Sequence, residues 1–304
     1  MVSCMAYASF LHCIWIFFSR ESDIQTFISK KAKSLLLPFL FWGIINILFN
    51  WLNDGNWQVA TQAIIGALFR KPTDAGIYCA GALWFLPALF WIEAIYKVLT
   101  QLIDNKIIFY VIAGMLGVSG FIAETHGMFL PFALDAALIG IPFMALGDLL
   151  RKGRETRVVG ELLHMRWYLF CIMIVITTIL IFYNGEVNFR GGGYGNYIIA
   201  CINASLGTIL LWNISRVIAD RFSKGILKTI SEILCSIGRN SIIYLCLNQR
   251  IIYFVKPIVS VYFKGSVIKS YLSMGLTLIV VVFICHIIMK VFAGDKRLKC
   301  FVAK

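Results

Sequence analysis

The stretch SYLSMGLTLIVVVFICHIIM, residues 270–289, contains no Asp, Glu, Lys or Arg, and Lys269 and Lys290 bracket it. As an α-helix its twenty residues extend about 30 Å, the thickness of a bilayer's hydrocarbon core. Comparable apolar runs occupy 4–19, 35–52, 82–99, 107–123, 133–150, 167–183, 195–215 and 240–256. The pattern predicts an all-α fold, a polytopic transmembrane helix bundle of nine spanning helices. The polar links are too short to fold alone, so 1–304 reads as a single membrane domain. Residues 61–69, TQAIIGALF, are too short to span and lead into the turn-like RKPTDAG, which predicts an interfacial helix.

Composition excludes a water-soluble fold. Hydrophobic residues make up 60% of the chain and charged residues 14%, with mean hydropathy +0.83; soluble domains sit near 45–50% and 25%. The net charge of +13 does not point to nucleic acid, because membrane proteins retain Lys and Arg on cytoplasmic links. Counted over alternate links, 21 of the 28 basic residues share a side with the C-terminus and seven lie opposite. The count predicts a multi-pass protein with a cytoplasmic C-terminus and cytoplasmic links at 151–166 and 216–239. Nine cysteines include no C-x-x-C pair, so neither a zinc site nor a disulfide framework is expected. No internal repeat is visible, which argues against transporters built from duplicated halves.

Nine helices with a cytoplasmic C-terminus would put Met1 outside, yet the first run has neither a basic leader nor a small-residue cleavage site. The parity predicts that one more helix belongs in front and that the domain is N-terminally incomplete.

Ionisable and amide side chains inside spans are costly and therefore functional candidates. These are His12, Asn46, Glu93, Asp135, Asp148, Asn203, Asn248, Gln249, Arg250 and His286. Asp148, followed by Arg151 and Lys152, reads as a solvated end-of-helix charge. Glu93 and Lys97 have the spacing of an intrahelical pair. Asn46, Asn203 and His286 read as interhelical hydrogen-bonding groups. His12 could be structural or a general base. Lys30, Lys31 and Lys33 could orient the chain or bind lipid or nucleotide-like phosphates. In NGEVNFRGGGYGNY (184–197), Arg190 could meet a sugar hydroxyl or acidic substituent, or the segment could be a plain turn.

Six segments, in order, resemble the family-three membrane acyltransferases, in particular the branch named after fucose 4-O-acetylase. LHCIWIFFSR (11–20) is similar to that family's FHMPLFFFLSG segment, and FISKKAKSLLLPFLFWGI (27–44) to its basic run before a Leu-Leu-x-Pro helix. ALWFLPALFWIEAIY (82–96) resembles its LWFLPALF helix. LPFALDAALIGIPFMALGDLLRK (130–152) resembles its aspartate-bearing helix, VNFRGGGYGNYIIACINASLG (187–207) its Gly-Tyr-Gly-Asn turn, and SIGRNSIIYLCLNQRII (236–252) its Gly-Lys-Asn-Ser helix ending in His-Gln.

The resemblance implies a ten-helix enzyme with no bound cofactor. It would move an acyl group, commonly acetyl from acetyl-CoA, to a hydroxyl of a cell-envelope carbohydrate or lipid-linked glycan, with membrane lipid around it and no nucleic acid. It places His12 and Arg20 at the reacting groups, Lys30, Lys31 and Lys33 at the donor, and Asp135, Arg190 and Asn248 at the acceptor. The sequence departs from the family where Ser19-Arg20 replaces Ser-Gly and Asn248 precedes Gln249 in place of His. The family's first helix, with its Arg and His, has no counterpart here, so a truncated, inactive relative is one alternative. A lipid-linked glycan flippase is another, because polar groups in spans also mark transport paths.

Overall fold

The computed structural model describes residues 23–55, 68, 82–153, 156–185, 187, 195–221, 225–263 and 267–294. Among them there is no strand. The elements are α1 (Ile24–Lys31), a π-helical turn (Ala32–Leu36), α2 (Leu37–Asp54), α3 (Phe85–Leu102), α4 (Lys106–Thr125), a 3-10 turn (Pro131–Ala133), α5 (Leu134–Lys152), α6 (Arg157–Leu163), α7 (Trp167–Asn184), α8 (Tyr197–Arg221), α9 (Gly225–Arg239), α10 (Ser241–Tyr262) and α11 (Val267–Gly294). Among the described residues, eight helical stretches are long and apolar enough to cross a membrane: Ile24–Phe49, Phe85–Leu102, Lys106–Thr125, Pro131–Lys152, Trp167–Asn184, Tyr197–Asp220, Ser241–Tyr262 and Lys269–Phe292. They coincide with eight of the nine expected spans. The expected first span, 4–19, lies outside the described residues, as does the 61–69 segment except for Leu68, which is helical.

Ile24–Phe49 runs as one helix through the π-helical turn. Pro38 has no N–H to return to the Ser34 carbonyl, and a widened turn just ahead of it accommodates the missing bond.

The chain divides into two compact units. One comprises Met1–Phe27 and Trp91–Ser231, the other Ile28–Phe90 and Glu232–Lys304. In the first, α4 packs on α5 through glycines. A Cβ at Gly120 would lie 2.8 Å from Leu138 Cβ and 2.9 Å from the Asp135 carbonyl, and one at Gly117 would overlap Pro142. Small residues let the two backbones approach, the usual basis of helix packing in lipid. α7 and α8 meet through Met173, Ile209 and Leu210. Asn213 then ties α8 to the α6–α7 link: its Nδ2 donates to the Leu162 carbonyl at 3.0 Å, and its Oδ1 accepts from the Met165 N–H at 3.1 Å. On α7 only Met173 and Thr177 are buried, so most of its surface is left for lipid.

In the second unit α10 packs on α11 through Ile251, Val281 and Cys285. Tyr244 and His286 approach to 3.4 Å between the oxygen and Nδ1, so His286 is interhelical as expected.

The 216–239 link contains α9, which the sequence reading left as a loop. Ile226, Leu227, Ile230, Ile233, Leu234 and Ile237 recur at helical spacing while Lys228, Glu232 and Arg239 interrupt them. The segment is too polar to span but amphipathic enough to fold.

Candidate functional site

Two features of the first unit combine burial, charge and space. The first is a cavity of about 530 Å³ where α3 ends, α4 begins and α5 ends, lined among others by Lys97, Thr100, Lys106, Tyr110, Asp148 and Lys152. Asp148 is only 1% exposed, which corrects the reading of a solvated end charge. Its carboxylate accepts from Lys152, one turn on, and from the Tyr110 hydroxyl of α4 at 3.4 Å. Glu93 and Lys97, one turn apart in α3, are likewise each 1% exposed, so both are core groups. The Lys97 ammonium stands 5.6 Å from the centre of the Phe27 ring of α1, a cation–π distance. At the mouth, Asn105 caps α4, its side-chain oxygen accepting from the amides of Ile107 at 2.9 Å and Ile108 at 3.3 Å. That cap ends the α3–α4 turn sharply and directs the positive end of the α4 dipole toward the cavity.

The second feature lies at the far end of α5. Asp135, in its first turn, is 0% exposed. The 3-10 turn before it holds Phe132 and Ala133 in left-handed conformations, each with φ 54°. Two consecutive non-glycine residues of this kind cost about 1 kcal/mol or more apiece, and such strain persists where surrounding packing fixes a side chain. Thirteen residues of helix separate Asp135 from Asp148, or about 20 Å. Close to the same end of α4, Glu124 is buried at 4% exposure, one turn beyond Phe121, whose ring stacks on Tyr197 of α8 at 4.9 Å. The apolar run ends at 123 in sequence, which leaves Glu124 in the following link, but the helix continues through it to Thr125.

The remaining expected site residues fall as follows. His12, Arg20 and Arg190 lie outside the described residues. Lys30 and Lys31 close α1, and Lys33 sits in the π-helical turn; Lys30 and Lys33 are exposed and Lys31 is half-buried. Asn248 is half-buried in α10, its Oδ1 accepting from the Gln249 amide at 2.6 Å.

In the second unit, Arg250 of α10 reaches α2. Its Nε donates to Asn46 Oδ1 and its Nη2 to the Asn46 carbonyl, both at 3.1 Å, with the guanidinium 5.2 Å over the Phe49 ring. Asn46 is thus the interhelical group the sequence suggested. Asn203 is buried in α8.

Of the glycine-rich stretch, 195–196 are described. Gly195 takes φ 58° against the Asn184 carbonyl, where a Cβ would sit 2.5 Å from the oxygen. Asn196 caps α8 through the amides of Ile198 and Ile199. The Gly-Asn pair therefore has a structural purpose, starting the helix.

Residues 2–290 match the family model described as an acyltransferase domain. Neither a curated protein nor a solved structure matches the chain.

Proposed function

The chain belongs to acyltransferase family 3, and from that premise we propose that it is a membrane O-acyltransferase of the fucose 4-O-acetylase-like branch. It takes an acyl group, most simply acetyl, from acyl-CoA in the cytoplasm. It places that group on a hydroxyl of a cell-envelope carbohydrate or lipid-linked glycan. The observation that carries the reading is the family match over nearly the whole of a chain with eight membrane-spanning candidates.

The chemistry is attack of the acceptor oxygen on the thioester carbonyl, with the C–S bond breaking and the hydroxyl proton passing to a base and then to the departing thiolate. His12 is the proposed base, and Arg20 the cation beside the developing oxyanion. Lys30, Lys31 and Lys33 approach the donor phosphates. Asp135, Arg190 and Asn248 contact the acceptor. The protein lies in the inner (plasma) membrane with its C-terminus cytoplasmic, as the distribution of Lys and Arg supports.

Native membranes incubated with acetyl-CoA test this. Acceptor-dependent release of CoA thiol, lost on His12→Ala, is the expected result. Glycan movement across the membrane without thioester consumption would make the protein a flippase instead.

A further inference from the structure

We infer that the cavity between the end of α3, the start of α4 and the end of α5 binds the phosphate groups of the donor, with Lys106 and Lys152 as their ligands. This rests on the acyl-CoA reading above and adds a site to it, apart from Lys30, Lys31 and Lys33.

Three observations carry the inference. The first is size, since about 530 Å³ falls within the range of roughly 300–1,000 Å³ of small-ligand sites. The second is the quality of the charge. Three lysines line the cavity against two aspartates, Asp104 and Asp148, and two of the lysines are held in place. Lys97 is buried against Phe27, and Lys152 is tethered by a carboxylate that Tyr110 also holds. A charge nearly sealed at the end of a spanning helix costs several kcal/mol to keep without compensation. Holding Asp148 there fixes the Lys152 ammonium at the cavity wall, where a phosphate can share it. Lys106 stands exposed at the mouth, on the first residue of α4. There the helix dipole adds to its attraction for an anion.

The third observation is placement. The turn between α3 and α4 and the link after α5 both belong to the lysine- and arginine-rich side of the chain, which the positive-inside rule assigns to the cytoplasm. A phosphate carried by a soluble cytoplasmic donor reaches that face directly. Tyr110 in the wall offers a ring on which a planar base can rest, and Thr100 and Gln101 offer hydrogen-bonding groups to its edges. Lipid headgroups share the phosphate chemistry, so the test must separate the two sources.

The experiment is equilibrium binding of CoA to the full chain in nanodiscs of zwitterionic lipid, for wild type and for K106Q/K152Q. Retention of anionic lipid is followed in parallel by native mass spectrometry. The expected result is a loss of CoA affinity of at least about tenfold in the double variant, with anionic-lipid retention unchanged. Because Lys106 is exposed, K106E alone disturbs folding least and weakens CoA binding by itself. Unchanged CoA affinity in a folded double variant overturns the inference. So does unchanged CoA affinity with loss of bound anionic lipid, which would make the cavity a headgroup site. If thiol release persists while CoA affinity ignores the lysines, this site falls and the acyl-transfer reading stands. If CoA affinity depends on the lysines but no acceptor ever elicits thiol release, the reading falls and the cavity stands.

Discussion

The Lys152 ammonium rests on the Oδ2 oxygen of Asp148 one turn back in α5, and that carboxylate is shut away from solvent while the lysine is not: side-chain exposures are 2% and 35%. The pair is thus anchored at its acidic member, with the lysine free to face the cavity. Asp148→Asn keeps the shape and the Tyr110 contact but removes the charge that holds Lys152. It is expected to lower thermal stability by a few degrees, about 1 kcal/mol after allowance for the half-exposed lysine. It should also raise the donor KM with little change in kcat. Differential scanning fluorimetry and a donor titration check both; a changed kcat with an unchanged KM would contradict the positioning role.

Asn213 is a second point of leverage. Asn213→Ala removes its bonds to Leu162 and Met165 and leaves a half-buried carbonyl and a half-buried amide without them, at about 1 kcal/mol. The expected sign is faster hydrogen exchange at the Met165 amide while the α4–α5 helices stay protected. Uniform protection across the α6–α7 link would show that the link is held by something else.

At Gly120 there is no room for a side chain. Gly120→Ala puts a methyl within 3 Å of the Asp135 carbonyl and Leu138 Cβ, so α4 and α5 must separate. The expected cost is about 1–3 kcal/mol. Asp135 sits where the helices would part, so the acceptor KM is expected to rise along with the loss of stability. Gly114→Ala, where a Cβ meets nothing within 4 Å, is the matched control and should be close to neutral.

Removing Asn46 should hurt more than removing Arg250. Asn46→Ala takes away the side-chain oxygen that accepts from the Arg250 Nε, keeping only the backbone-carbonyl contact to a guanidinium within a spanning helix, whereas Arg250→Met replaces charge by an apolar chain of similar length. The double variant N46A/R250M is expected to recover most of the stability lost in N46A. Additive losses would mean the two residues are not coupled.

Orientation is tested by single cysteines in a background without native ones. Glu161→Cys, on the exposed face of α6, should resist an impermeant reagent applied to intact cells. Met128→Cys, exposed in the link after α4, should react. The reverse pattern would invert the topology.

Eight of the expected spans are legible because each is a long, largely apolar run, and a bilayer demands that signal at full length. What sequence could not convey was which charges the bundle seals. Asp148 sits beside Arg151 and Lys152, so its neighbours in sequence suggest water, but its neighbour in space is Tyr110, 38 residues away. Glu124 precedes Thr-His-Gly and looks like a loop residue, although Gly117 and Gly120 draw α4 against α5 along the same helix. In α9 the signal is Ile and Leu at helical spacing, masked by the Lys228, Glu232 and Arg239 that mark the segment as a cytoplasmic link. The apolar pattern puts Asp135 at the start of the fifth span, but its burial and the left-handed turn before it follow from close packing that no local pattern encodes.

The most direct measurement of the central claim uses radiolabelled acetyl-CoA, added to one face at a time of sealed native membrane vesicles of defined orientation. The account predicts label on envelope glycan hydroxyls, with stoichiometric thiol release, only when the donor meets the face bearing the ends of α3 and α5. Label that never leaves CoA, or transfer that is equal from both faces, would contradict it.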